Sequence, residues 1–403
     1  MPDVSFTDLA LVMAVAFVTP LVLGLLPRSP VPSVVVEVLL GIIVGPSVLG
    51  WVEADEVVRI VAVVGLAFLL FLAGLELDLR HLQGPVLRRG LSGFALSLGL
   101  ALLAGLVLDA AGLVDDPLLA ATILTATSLG LVIGVLKETG QSATPTGQLI
   151  IAGASIGDVA AIVLLSVLFS ADGSGTGAQV VLLAEYAGLV TAIGVLIAVA
   201  GRSHRLGTAL VHLQDTTAEI RVRGAVLLVV VLVVLAEHFG LETILGAFIA
   251  GAVVGVIDRD EAMTHPQFRV KLEAIGYGFL VPVFFVSSGV VFDLDALLDD
   301  PSTLALVPVF LVCLLVVRGI PAVVYRPITG ARGAVAAGLL QATSLPFIVA
   351  ATMIGVELGA IDPGTAAAFV AAGLLSALLF PALAVALLGR STDEEPGVPA
   401  LSP

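Results

Sequence analysis

Charge is scarce in this 403-residue chain: Asp, Glu, Lys and Arg together make up 12 % of it, and aromatic residues 5 %. Soluble domains carry about 25 % charged residues, so a soluble globular fold is excluded. Basic residues are the rarer sign, 17 against 32 acids, and the net charge of -15 leaves no basic patch for a nucleic acid. Cysteine is almost missing. The lone Cys313 lies in an apolar run and cannot make an intrachain disulfide. The five histidines are scattered with no Cys/His spacing, so no resident metal and no cofactor is expected. What remains is apolar residues, 59 % of the chain, with a mean hydropathy of +1.17. The composition is that of an all-α polytopic membrane protein.

Hydropathy divides the chain into about thirteen spans, near 7–26, 32–51, 57–77, 90–110, 117–136, 146–169, 178–200, 222–239, 241–258, 272–292, 303–325, 333–356 and 364–389. The first follows a segment without basic residues, so a cleaved signal peptide is not expected. Connections are short except the polar stretch Gly201 to Arg223, and the tail 391–403 is too polar to fold. Lys and Arg then orient the bundle. Arg28, Arg80, Arg88, Arg89, Lys137, Arg202, Arg205, Arg259, Arg269, Lys271 and Arg326 fall in alternate connections, while acids such as Glu53, Asp115 and Asp293 fill the others. Only Arg59 and Arg318 break this alternation. The positive-inside rule predicts an outside N-terminus and a cytoplasmic C-terminus, in the cell membrane.

The span Ile150 to Phe169 carries a carboxylate, Asp158, near its midpoint. A charge at that depth costs several kcal/mol, so by default it marks a functional site. A structural acid silenced by burial or by an ion pair is the plainer alternative. The sharper reading is a site for a proton or a small cation, with Ser155 one turn away.

Three short matches recur in order. FLAGLELDL (71–79) resembles VSSGVVFDL (286–294), pairing Gly74 with Gly289 and Asp78 with Asp293 at an offset of 215 residues. ATSL recurs at 126–129 and 342–345, and EVLLG (37–41) resembles ETILG (242–246). Each match pairs a span with the one seven later, which reverses its direction. Inverted repeats are a transporter signature, with the site at the midplane where the halves meet. Within these repeats, TATSLG (125–130) and QATSLP (341–346) put polar and helix-breaking residues in mid-span. Pro346 removes a backbone donor. Hydroxyls bonding back to their own helix would explain either piece alone. Two such pieces in corresponding places predict two interrupted, crossing helices beside Asp158, with Thr343, Ser344 and Pro346 at the second break.

Arg318 is the other intramembrane charge. It could reach toward Asp158 as its electrostatic partner, stabilise the broken helices through their carbonyls, or snorkel to the interface; a role in the core is favoured. Glu237, His238 and Glu242 suit interfacial solvation, whereas Glu37 is deeper and has no evident role.

These residues resemble a known family. VPSVVVEVLLGIIVGPSVLG, LLFLAGLELDL, ATILTATSLGLVIGVLKETG, GASIGDVAAIVLL, LETILGAFIAGAVVG and LVPVFFVSSGVVFDL are similar to the membrane domain of the Kef-type and NapA-like branch of the monovalent cation:proton antiporter superfamily, the sodium/hydrogen exchangers. The resemblance covers the whole membrane region. It implies a thirteen-span homodimer. Scaffold spans 1–3 (1–82) and 8–10 (222–295) would hold a mobile core of spans 4–6 (88–170) and 11–13 (303–390), with span seven (178–221) as linker. It implies exchange of Na+ or K+ for H+ by an elevator-like shift, with Asp158 as carrier and Thr125, Thr127 and Ser128 as ligands or cavity-lining groups. Two departures stand out. Electrogenic relatives usually have Asp-Asp in span six and electroneutral ones often Asn-Asp, where this chain has Gly157-Asp158. Many relatives have Lys in span eleven where this chain has Arg318, which cannot give up its proton. One titrating carboxylate then suggests one-for-one exchange. The nucleotide-binding domain of Kef systems has no counterpart in this chain, and no glycine-rich phosphate fingerprint follows a strand.

Two rivals have distinct requirements. A Kef-like potassium efflux channel needs a continuous pore with weak sites. An intramembrane aspartyl protease, suggested by Ser155-Ile156-Gly157-Asp158, needs a second mid-membrane aspartate, and no other span has one.

Overall fold

A computed structural model of the chain describes residues 6–25, 31–77, 84–169, 176–201, 219–258 and 267–388. Among these, every regular element is helical, since backbone at membrane depth must satisfy its own N–H and C=O groups. In chain order they are α1 (Thr7–Leu25), α2 (Ser33–Val44), α3 (Glu56–Glu76), α4 (Gly84–Ala110), α5 (Pro117–Thr125), α6 (Leu129–Glu138), α7 (Pro145–Leu168) and α8 (Thr176–Gly201). The second half holds α9 (Ile220–His238), α10 (Thr243–Asp258), α11 (Phe268–Ile275), α12 (Val281–Val290), α13 (Leu294–Leu298), α14 (Pro301–Leu314), α15 (Arg326–Gln341), α16 (Pro346–Glu357) and α17 (Pro363–Leu388). Asp78, the basic residues Arg28, Arg80, Arg202, Arg205 and Arg259, and the tail 391–403 lie outside the described residues.

Local chemistry moves several expected boundaries. The second span was expected to run 32–51, but α2 stops at Val44, where Gly45 caps the last turn and Pro46 prevents its continuation. Spans ten and eleven are not plain helices. Gly276–Leu280, just before Pro282, and Leu315–Gly319, just before Pro321, are π-helical turns. Proline removes a backbone donor, and a wide turn accommodates the mismatch. The second π turn carries Arg318. It runs through a 3₁₀ segment (Ile320–Tyr325) into the start of α15, and Gly330, at φ 68°, turns the chain back.

Two packing groups result. In one, α1, α2, α3, α9, α10, α11 and α12 pack on one another; in the other, α4, α5 and α7 pack with α14, the 3₁₀ segment, α15 and α17. The first group is sealed by backbone-to-backbone seams. A Cβ on Gly41 of α2 would collide with Val286 O of α12, and one on Gly289 with Val38 O in return. Gly74 of α3 and Gly251 of α10 meet Phe248 O and Phe71 O in the same reciprocal way. Small residues allow the close approach that helix packing in lipid requires. At the centre of the second group Ser97, Thr127, Arg318 and Gln341 are buried and joined by hydrogen bonds.

Candidate functional site

The expected break in span five is present. Helix α5 ends at Thr125, residues 126–128 run non-helically, and α6 restarts at Leu129. The second break separates α15, ending at Gln341, from α16, starting at Pro346. The two meet: Ser128 N donates to Thr343 O at 2.8 Å, and Thr127 Oγ1 donates to Gln341 O at 2.8 Å. Each break thus satisfies backbone groups freed in the other, which is how non-helical backbone is tolerated at this depth.

Asp158 sits near the middle of α7 and addresses the first break. Its Oδ2 accepts from Leu129 N, the first residue of α6, at 3.1 Å. A helix N-terminus carries partial positive charge, so a carboxylate is well placed there. Its Oδ1 is buried and has no hydrogen-bond partner. A buried carboxylate oxygen without a partner is costly unless it takes a proton or a cation. The chemistry of the donor set, hard oxygens from carboxylate, hydroxyl and carbonyl groups, suits a monovalent cation.

Arg318 is 1 % exposed and belongs to the same centre. Its Nε donates to Thr127 Oγ1 at 2.9 Å, Nη1 to Ser97 Oγ at 3.3 Å, and Nη2 to Gly153 O at 3.2 Å as well as to Thr127. Phe94 lies 6.0 Å from the guanidinium. No direct ion pair with Asp158 forms, although the two charges are coupled across the gap. Arg318 neither snorkels nor bridges to the acid. Instead it ties α4, α7 and the first break together. The Thr127 hydroxyl, accepting from Arg318 and donating to Gln341 O, is saturated in this conformation.

The other candidates divide. Thr127 and Ser128 line the cavity at Asp158, and so does Pro346. Thr125 and Thr343 are buried but spend their hydroxyls on Thr122 O (2.7 Å) and Leu339 O (3.1 Å) of their own helices. Ser155 is buried one turn from Asp158 and is not on the cavity wall. Ser344 N accepts no role in that wall either: it donates to Ser376 Oγ at 3.2 Å, while the Ser344 hydroxyl is buried without a partner. Sequence reasoning missed Ser97, Gly153, Gln341 and Tyr325, whose hydroxyl accepts from Gln341 Nε2 at 3.2 Å. It also missed Glu76, which faces the same cavity as Asp158 and accepts from Tyr277 at 3.5 Å. Glu76 stood in a quoted motif, but nothing in its spacing ties it to a residue 82 positions on.

The Asp158 cavity, about 240 Å³, lies between α3, α12 and the π turn at Gly276 on one side and α6, α7 and α16 on the other. A second cavity of about 420 Å³, lined by Arg59, Asp293 and Glu357, lies farther along the same boundary. Phe284 faces the second and Phe285 the first, and both are buried. Asp158 lines only the first cavity. Glu37 is buried in α2, one turn beyond the cavity-lining Ser33 and Val34.

A helical bundle that holds a carboxylate at the junction of two broken helices, on the wall of a cavity, has the make-up of an ion-coupled membrane transporter and not of an enzyme. The chain belongs to the sodium/hydrogen exchanger family: the family profile described as "Sodium/hydrogen exchanger, transmembrane" matches residues 13–388, making this a multi-pass membrane protein. It is 32 % identical over 98 % of its length to YjbQ of Bacillus subtilis, which is named among the Na(+)/H(+) antiporters; the chain spans 65 % of that relative. It is 27 % identical to "Probable Na(+)/H(+) antiporter 3" of Methanocaldococcus jannaschii, over 92 % of this chain and 93 % of that one. The solved structure of the sodium proton antiporter MjNhaP1 from the same archaeon superposes with a TM-score of 0.66 at 17 % identity, covering 95 % of this chain and 98 % of that chain, and shows a common fold.

Proposed function

We propose that this chain exchanges a monovalent cation, Na+ or K+, for protons across the cell membrane, with Asp158 as the shared carrier. The observation that carries the reading is the split environment of that carboxylate. Oδ2 is held by the Leu129 N–H while Oδ1 is buried and unpartnered, so one oxygen fixes the acid and the other is left for a proton or a cation. The two ligands compete for one site, and only the neutralised forms cross the low-dielectric barrier cheaply. That competition couples the fluxes. Thr127 and Ser128 complete the cavity wall, and Arg318 supplies a fixed positive charge nearby.

The first packing group serves in this reading as a scaffold that carries the homodimer contact, and the second as a core that slides against it, with α8 between them. In the same reading the chain has thirteen spans in inverted repeats, with the Glu76 end of the boundary at the cytoplasm and the Arg59 end outside. Two cavities along the boundary, with Asp158 on the wall of one and the buried Phe284 and Phe285 each lining a different one, support alternating access over a continuous pore. Arg318 keeps its proton, so with Asp158 as the exchanging carboxylate and Glu76, on the same cavity, unchanged through the cycle, one proton is exchanged per cation and the cycle is electroneutral.

The test is proton flux in proteoliposomes under an imposed pH gradient, with Na+, K+ or Li+ added in turn and Asp158→Asn in parallel. Cation-dependent collapse of the gradient that disappears in the variant, and that ignores an imposed membrane potential, is expected. Coupled flux retained by Asp158→Asn sinks the assignment of the carrier. Fast flux uncoupled from protons in the native chain sinks exchange itself.

A further inference from the structure

Residue 157, next to the carrier, has no side chain, and the space that side chain would fill is already taken. A Cβ on Gly157 would overlap Arg318 Nη2 and stand 3.0 Å from Cζ and 3.4 Å from Nη1, so the head of the guanidinium rests on the bare backbone of α7. One turn earlier, a Cβ on Gly153 would overlap Gln341 Nε2. An arginine head is ordinarily mobile and would yield to a methyl group. This one is not free to do so. It is 1 % exposed, its nitrogens are committed to Thr127, Ser97 and Gly153 O, and Phe94 stands over it. Moving it away from position 157 breaks bonds to the first broken helix and leaves a buried charge without acceptors.

We propose that Gly157 is a positioning residue for Arg318: the missing side chain admits the guanidinium to the α7 backbone, and positions 157 and 318 form a size-matched pair. The pair determines what surrounds the carrier, one stationary cation held against the first break and one exchangeable carboxylate on the adjoining residue. The inference deepens the exchange reading and rests on it. It makes position 157 intolerant of a side chain for as long as position 318 is Arg. A Lys at 318 keeps the charge but has no planar fork to fit beside the helix, so it frees the space that a methyl group needs.

The experiment is a double-variant cycle, Gly157→Ala, Arg318→Lys and the two together, each reconstituted in proteoliposomes and read as cation-dependent proton exchange and as apparent cation KM. Melting temperature in detergent is measured alongside. Gly157→Ala alone is expected to lower exchange by more than about tenfold through misplacement of the guanidinium. The same substitution in the Arg318→Lys background is expected to cost less than about twofold relative to Arg318→Lys alone, which is the rescue. If Gly157→Ala fails to fold and the double variant folds, the coupling is seen in the protein yield instead, and the pairing stands. Equal losses in the two backgrounds, or a fully active Gly157→Ala, overturn it. A native chain that exchanges nothing overturns the function reading instead, so the two failures are distinguishable.

Discussion

The two broken helices differ in what closes them. At the first, the restarting helix α6 is met by a carboxylate, Asp158 accepting from Leu129 N, with a second oxygen unsatisfied. At the second, the closing group is a neutral hydroxyl from α17. Ser376 Oγ accepts from Ser344 N at 3.2 Å, its single proton is shared between Gly373 O at 2.8 Å and Ser344 O at 3.0 Å, and the next helix begins on Pro346, which has no N–H to satisfy. Similar sequences, ATSL in both, therefore make unlike sites. One break is closed by a group whose charge can change, the other by groups that never change. The unlikeness comes from the partner helices, which place an acid beside one break and a serine beside the other.

The largest effect expected from this contrast is at Asp158. Asp158→Asn keeps the shape and the acceptor for Leu129 N but removes the exchangeable charge, so coupled exchange falls to the vesicle background while the protein stays folded, as size-exclusion chromatography and melting would record. Next comes the arginine network between the breaks. Thr127→Val leaves the Arg318 donors with lost acceptors, a cost of about 1–3 kcal/mol seen as a lower melting temperature, together with weakened exchange. Smaller again is Ser376→Ala, which removes only the neutral closure. A loss of about 1 kcal/mol in stability is expected, with the cation KM unchanged. If Ser376→Ala instead abolished exchange, the second break would be part of the ion site and the contrast would fail.

The smallest effect is expected at Asp362, a carboxylate that also meets a helix start but lies outside the spans. Its Oδ1 accepts from Thr365 N at 3.0 Å. Partial burial opposes its ionisation, but the hydrogen bonds from Thr365 and neighbouring N–H groups outweigh it, so its pKa is lowered. A depressed carboxylate pKa contributes stability above the unfolded value, about 3.9, that is lost as pH falls through the folded value. Asp362→Ala should cost about 1 kcal/mol or less at neutral pH and nothing in strong acid, with exchange unaffected. The same interaction thus sets a carboxylate at a helix start within the membrane, the carrier in our proposal, and an ordinary helix cap outside it.

Much of this was legible in the residues. Asp158 announced itself by the rarity of charge in an apolar run, and both breaks by helix-opposing residues at corresponding places. What stayed hidden required three dimensions. Ser97 and Gly153 are unremarkable small residues until Arg318 is placed against them, and the π turn that places it follows from where Pro321 falls relative to the packing. The span edges failed where Gly45 and Pro46 stop a helix inside an apolar stretch, since hydropathy registers lipid and not dihedral angles. Thr125 follows from the family resemblance and Thr343 from the repeated break, yet their hydroxyls turn to carbonyls of their own helices, a choice that position in the sequence does not decide.

The glycine seams between α2 and α12 and between α3 and α10 have a consequence for where such a protein can work. Their cohesion comes from backbone surfaces in direct contact, each glycine set against a carbonyl oxygen of the facing helix. Contacts of that kind do not respond to ionic strength, and protonation does not loosen them. Brine or acid that would strip a salt-bridged joint is expected to leave these two seams closed.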